Sequence, residues 1–142
     1  MTDYLLDTNV LSELSRPRPS PVVVAMTRRI PLDAMFLSDV VIAEIRFGIE
    51  RTSSTARREA LLDWLKNDVR PAFAGRILPV TEDIFVRWRW IVEAARLKGY
   101  TFEQPDALLA ATAAYHGLTV LSRDVEPFSQ AEVAHINPWQ RA

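Results

Sequence analysis

The chain has no cysteine, which excludes a disulfide framework, a thiolate metal site and a cysteine nucleophile. Histidine is almost as scarce: His116 and His135 are the only two, too few for a multi-histidine metal site. Four glycines, at positions 48, 75, 99 and 117, are too scattered for a phosphate-cradling loop. The dinucleotide fingerprint and the P-loop are therefore both missing. No long apolar run occurs. The longest uncharged stretch, Ala107 to Ser122, is sixteen residues, is interrupted by His116-Gly117, and falls short of a bilayer span. The N-terminus carries Asp3 and no basic stretch, so the expectation is a chain without a signal peptide, off the membrane and cytoplasmic. Neither charge dominates. Seventeen basic residues face eighteen acidic ones, so no global positive field advertises nucleic-acid binding.

What remains is ordinary globular material. The chain has 142 residues, 49% hydrophobic and 25% charged, which suits one domain over 1–142 with a core of its own. Fifteen of the seventeen basic residues are arginine, which genomic base composition explains well enough, although a guanidinium also suits forked recognition of phosphate.

Short apolar runs alternate with helical patterns along the whole chain. Strands are expected at Tyr4–Leu6, Ala34–Leu37, Arg76–Val80, Leu118–Ser122 and Val133–Ile136. Pro79 marks the third of these as an edge or a strand end. Helices are expected to Leu14, from Pro21 to about Arg29, from Asp39 to about Arg51 behind a Ser38 cap, and from Thr55 to about Pro71. Two more run from Thr81 to Lys98 and from Pro105-Asp106 to Gly117. This order predicts an α/β fold with a mostly parallel sheet.

Ligands of an open parallel sheet bind beyond the carboxyl ends of its strands. Asp7 follows the first expected strand, and Asp124 follows Leu118–Ser122 with only Arg123 between. Glu44 has Val40, Val41 and Phe47 as helical neighbours, an apolar surface on which a carboxylate is costly without a partner. Asp106 opens the most apolar helix of the chain. Each acid also has a plain role: Asp7 and Asp106 as helix caps, Asp124 as a turn residue, Glu44 as the partner of a buried arginine. Converging, they would repel strongly. Either some are protonated or a divalent cation sits among them, and an all-oxygen donor set suits Mg²⁺ or Mn²⁺.

The segments around these acids carry a resemblance. Tyr4-Leu-Leu-Asp7-Thr8-Asn9-Val10-Leu11 resembles the opening motif of PIN-domain ribonucleases, and Ala43-Glu44-Ile45-Arg46-Phe47-Gly48-Ile49 resembles their second. Asp106 through Ser122-Arg123-Asp124 is similar to their third and fourth motifs run together. Within that family the chain resembles VapC-type toxins of toxin–antitoxin modules, including their FitB-like branch. The resemblance implies a three-layer α/β/α domain with about five strands and an acidic quartet at Asp7, Glu44, Asp106 and Asp124. It implies a Mg²⁺- or Mn²⁺-dependent endoribonuclease, with the metal on Asp7, Asp106 and Asp124. Glu44 would orient the attacking water or take its proton, and the products would be a 5′-phosphate and a free 3′-hydroxyl. Asn9 and Ser122 would support the site. A homodimer and a small antitoxin partner are implied with it.

Arg46 and Arg123, each near one of the acids in sequence, are the candidates for RNA contact. The helix after Thr81 has one apolar stripe at Ile84, Trp88, Ile91 and Ala95 for the core, and a second at Val86, Trp90, Ala94 and Leu97. Either the Thr55–Pro71 helix covers the second stripe or another protein chain does. Two other activities compete. A catalytically silent binding module for RNA or protein has no need of four carboxylates. An aspartate-nucleophile phosphatase would start at Asp7, but Asn9 replaces its second aspartate and no lysine stands at a later strand end.

Overall fold

The computed structural model describes residues 1–103 and 105–140. Five parallel strands form one sheet: β1 (Tyr4–Leu6), β2 (Met35–Ser38), β3 (Ile77–Leu78), β4 (Thr119–Leu121) and β5 (His135–Ile136). Their order is β3-β2-β1-β4-β5, with Tyr4 level with Met35 on one side and Leu6 level with Leu121 on the other. Leu5 and Leu6 point to opposite faces of the central strand, and both are fully buried. Both faces are therefore covered, which is why β1 and the Val120-Leu121 end of β4 show no apolar–polar alternation.

The helices are α1 (Thr8–Leu14), α2 (Pro21–Thr27), α3 (Asp39–Glu50), α4 (Thr55–Trp64), α5 (Arg70–Ala72), α6 (Glu82–Leu97), α7 (Asp106–His116) and α8 (Glu126–Gln130). Ser38 caps α3, its hydroxyl accepting the Val41 N–H at 3.4 Å, and Thr81 caps α6 through the Ile84 N–H at 3.4 Å. Gly117 ends α7 in the left-handed region at φ 67°, which a side chain would resist. Helix α7 is buried nearly all round: Ala107, Leu109, Ala110, Ala111, Thr112 and Ala113 are all inside, with α6, α8 and α3 packed against it. Its run of alanines lets those helices approach closely.

Four expectations are corrected. The third strand is only two residues long, because Pro79 offers no N–H to continue the ladder; it does sit at the sheet edge. The Thr55–Pro71 helix is not one α-helix. After Trp64 it widens into a π-turn over Leu65–Val69, where the Arg70 N–H reaches the Leu65 carbonyl, just before Pro71 removes a donor. That segment also does not cover the second stripe of α6: α4 packs on α3, and Val86, Trp90, Ala94 and Leu97 stay exposed. Finally, no pattern in the sequence marks α8, yet its Phe128 is fully buried in the core.

Candidate functional site

The chain steps outward from β1 through β2 to β3, then returns to β4 and β5 on the other side of β1. A parallel sheet opens a crevice where its strand order reverses in this way, here at the carboxyl ends of β1 and β4. Asp7 is the first residue after β1 and Asp124 the third after β4. The Asp7 N–H donates to the Leu121 carbonyl at 2.9 Å, so the two strand ends leave the sheet together.

Asp7 has two jobs. One carboxylate oxygen accepts the Thr8 N–H at 2.7 Å and caps α1; the other accepts the Ser122 hydroxyl at 2.7 Å. Ser122 is buried and serves as a hub. Its Oγ also accepts the Asp124 N–H at 3.0 Å and the Asn9 amide at 3.4 Å. Asn9 in turn accepts the Arg123 N–H at 3.2 Å through Oδ1, and its Nδ2 lies 3.5 Å from an Asp124 oxygen. Asn9 and Ser122 thus tie the loop after β4 to the turn after β1. On the other flank, the Ser38 cap directs the first turns of α3 along the crevice, bringing Val40, Val41 and Glu44 to its wall. Asp106 enters from the first turn of α7.

The result is a cleft of about 340 Å³ whose polar wall is Asp7, Thr8, Asn9, Glu44, Glu103, Asp106 and Asp124. The whole quartet is present on it, and among the described residues no lysine or arginine lines it. The repulsion registers on two groups. Burial first, then Asp7, Asp124, Glu103 and Glu44, push the Asp106 carboxyl up to about 6. Burial also raises Asp7, against the lowering hydrogen bonds from Ser122 and Thr8, with Asp124 and Glu44 adding to the rise. The donor chemistry fits a hard divalent cation. The geometry is open: among the described residues no three acidic or histidine side chains are gathered closely enough to form a metal cage.

Glu44 itself is exposed on the rim, although Val40, Val41 and Ile45 around it are buried. The expected cost of burying it does not arise, since one helical step turns it out of the core. Arg46 is exposed on α3 and forms no part of the cleft wall. Arg123 lays its guanidinium over the Trp139 ring at 4.7 Å, in a neighbouring groove that shares Asn9 with the cleft. Glu103 was not singled out in the sequence. Its signal was its place three residues before Asp106, and its carbonyl accepts the Asp106 N–H at 3.0 Å.

Comparison with known proteins follows the same lines. The profile of the PIN domain family matches residues 4–134. Toxin FitB of Neisseria gonorrhoeae is 39% identical over 135 residues, covering 95% of this chain and 97% of that protein. VapC ribonuclease Y4jK of Sinorhizobium fredii is 36% identical, covering 97% and 99%. The crystal structure of FitAcB from N. gonorrhoeae superposes with a TM-score of 0.91 at 38% identity, over 97% of this chain and 99% of that one.

Proposed function

This chain belongs to the PIN domain family, and from that premise we propose that it is a metal-dependent endoribonuclease, the toxin of a toxin–antitoxin pair. The observation that carries this reading is the meeting of Asp7, Glu44, Asp106 and Asp124 on one cleft that, among the described residues, has no cationic side chain.

Asp7, Asp106 and Asp124 are the proposed holders of Mg²⁺ or Mn²⁺, hard ions that prefer oxygen donors. Such an ion, when bound, lowers the pKa of water and offsets charge on a phosphoryl oxygen. The chain's own residues do the rest. Ser122 donates to Asp7, which keeps that carboxylate turned to the cleft, while Asn9 holds the Asp124 loop in place. Glu44, exposed on the rim, is free to take a proton from the attacking water. Attack on phosphorus with the 3′-oxygen leaving gives a 5′-phosphate and a 3′-hydroxyl. A phosphatase with Asp7 as nucleophile fits worse, because Asn9 stands where its second aspartate would and, among the described residues, no lysine lines the cleft.

The partners belong to the same proposal. The neighbouring groove, about 630 Å³, is walled by Leu61, Trp64, Arg123 and Trp139, and we assign it to a segment of a small antitoxin. An arginine from that segment, reaching past Asn9, would neutralise the carboxylates and compete with the metal. The exposed second stripe of α6 is the proposed contact of a homodimer. Among the described residues no helix is long and apolar enough to cross a membrane, and the proposed place of action is the cytoplasm. The test is cleavage of single-stranded RNA by the purified chain. Cutting with Mg²⁺ is expected, with 5′-phosphate ends, none in EDTA, and none from Asp7→Asn. Metal-independent cutting, or 2′,3′-cyclic ends, would overturn it.

A further inference from the structure

Beside the acidic cleft lies a smaller pocket of about 250 Å³ that the proposed chemistry does not use. Its walls are Trp88, Val92 and Arg96 from α6, and Tyr100, Phe102 and Glu103 from the segment leading to α7. The turn at Lys98-Gly99 folds that segment back: Gly99 adopts φ 83°, and the Tyr100 N–H returns to the Ala95 carbonyl at 2.9 Å. Tyr100 and Phe102 meet edge to face at 4.9 Å, so their ring faces point in different directions, and Trp88 supplies a third ring. Glu103 lines both this pocket and the acidic cleft, and the next residues continue the pairing: Asp106 faces the cleft, Ala107 the pocket.

We infer that this aromatic pocket receives one unpaired nucleobase of the strand whose phosphate lies in the acidic cleft. The inference rests on the nuclease reading above and names what holds its substrate. A chain with net charge −1 and a carboxylate-walled cleft cannot retain RNA by a broad positive surface. Stacking on aromatic faces is the alternative source of affinity for single strands, and it needs no charge. The pocket offers such faces at the point where the cleft wall ends. The Glu103 carboxylate at the junction is placed to accept an N–H from the edge of that base, and the Arg96 guanidinium, steadied by Glu93 at 3.2 Å, stands at the rim. The pocket is also separate from the exposed α6 stripe. At 3.6 residues per turn, Trp88 and Val92 lie about 120–180° around the helix from Val86, Trp90 and Leu97, with Arg96 at the border between the two faces. Closing a dimer over that stripe leaves the pocket open.

The test uses short single-stranded RNAs carrying 2-aminopurine at each position in turn, bound to Asp106→Asn protein in Mg²⁺. Quenching at one position is expected, the mark of a stacked base. Adding Phe102→Leu, which keeps an apolar side chain and removes the ring, should abolish the quench and weaken binding about tenfold, while Phe102→Tyr restores both. Trp88→Leu supplies the same comparison should Phe102→Leu fail to fold. Quenching at no position, or binding unchanged by loss of the rings, overturns the pocket. The nuclease reading is judged separately, by cleavage with the unsubstituted chain. Cutting without stacking removes the pocket alone; stacking without cutting removes the nuclease alone.

Discussion

Asp106 is the residue on which the electrostatics of the cleft press hardest. Its folded pKa of about 6 lies above the ordinary aspartate value, so between roughly pH 4 and pH 6 the folded chain binds the proton more tightly than the unfolded one. Stability from this group is therefore greatest below about pH 4 and declines as the pH rises through about 6. Asp106→Asn removes the penalty. At pH 7 it should stabilise the fold by about 1 kcal/mol, a figure reduced from the full shift because the carboxyl is partly solvated, and the gain should vanish near pH 4. Urea denaturation at the two pH values measures it, and a variant less stable at pH 7 would show that the favourable charge of Asp106 in the first turn of α7 outweighs the cost of its burial and repulsion. Ser122 is the complementary case. Ser122→Ala strips Asp7 of a 2.7 Å hydrogen bond that favours its ionised form, and leaves the Asp124 N–H and the Asn9 amide without their acceptor. It should cost about 1–2 kcal/mol in stability. RNA cleavage should fall about tenfold or more through weaker metal binding, and Ser122→Thr should recover most of both.

At the scale of elements, α6 is the least self-contained helix. Ile84 and Ala95 are buried under it, while Trp90 is 71% and Leu97 74% exposed on its outer side. An aqueous surface seldom keeps so much apolar area in line without a partner. Trp90→Glu and Leu97→Glu should therefore shift the chain toward monomer in sedimentation experiments. Their effect on the stability of the separated monomer should stay within about 0.5 kcal/mol, since neither side chain supports its own core. A wild-type chain already monomeric at tens of micromolar would remove the dimer. Helix α8 shows the opposite relation. It is only five residues long and contains Pro127, and it is held by Phe128 in the core rather than by any helical pattern of its own.

For the whole molecule the acidic cleft and the near-neutral net charge lead to one linked expectation. Any cation that binds the folded chain and not the unfolded one stabilises it by mass action, about 2.7 kcal/mol at a hundred times the dissociation constant. Mg²⁺ should thus raise the melting temperature at pH 7.5. The rise should shrink at pH 5, where Asp106 is largely protonated and the metal must displace its proton. Thermal denaturation with Mg²⁺, with EDTA and with K⁺ at matched ionic strength separates a specific site from screening. An equal response to Mg²⁺ and K⁺ would leave only screening.

Features that depend on local chemistry are legible along the chain. Caps at Ser38 and Thr81, the left-handed stop at Gly117 and the apolar runs of β1 and β4 are written in neighbouring residues, so the α/β order and most boundaries were legible. The acids after β1 and β4 were legible too, because the carboxyl end of a parallel strand is a place with known chemistry. Other features depend on packing between distant segments. Glu44 sits among buried neighbours in sequence yet faces solvent, since a helix face is fixed only by what packs on it. Arg46 and Arg123 are each within two residues of an acid, but the first is exposed and outside the cleft wall and the second stacks on Trp139, which comes from the far end of the chain. Glu103 is marked only by its place three residues before Asp106, and the aromatic pocket has no signature until the turn at Gly99 folds Tyr100 and Phe102 back on α6. Their chemistry exists only as a contact between segments, and contacts between segments are set by the packing of the core rather than by local sequence.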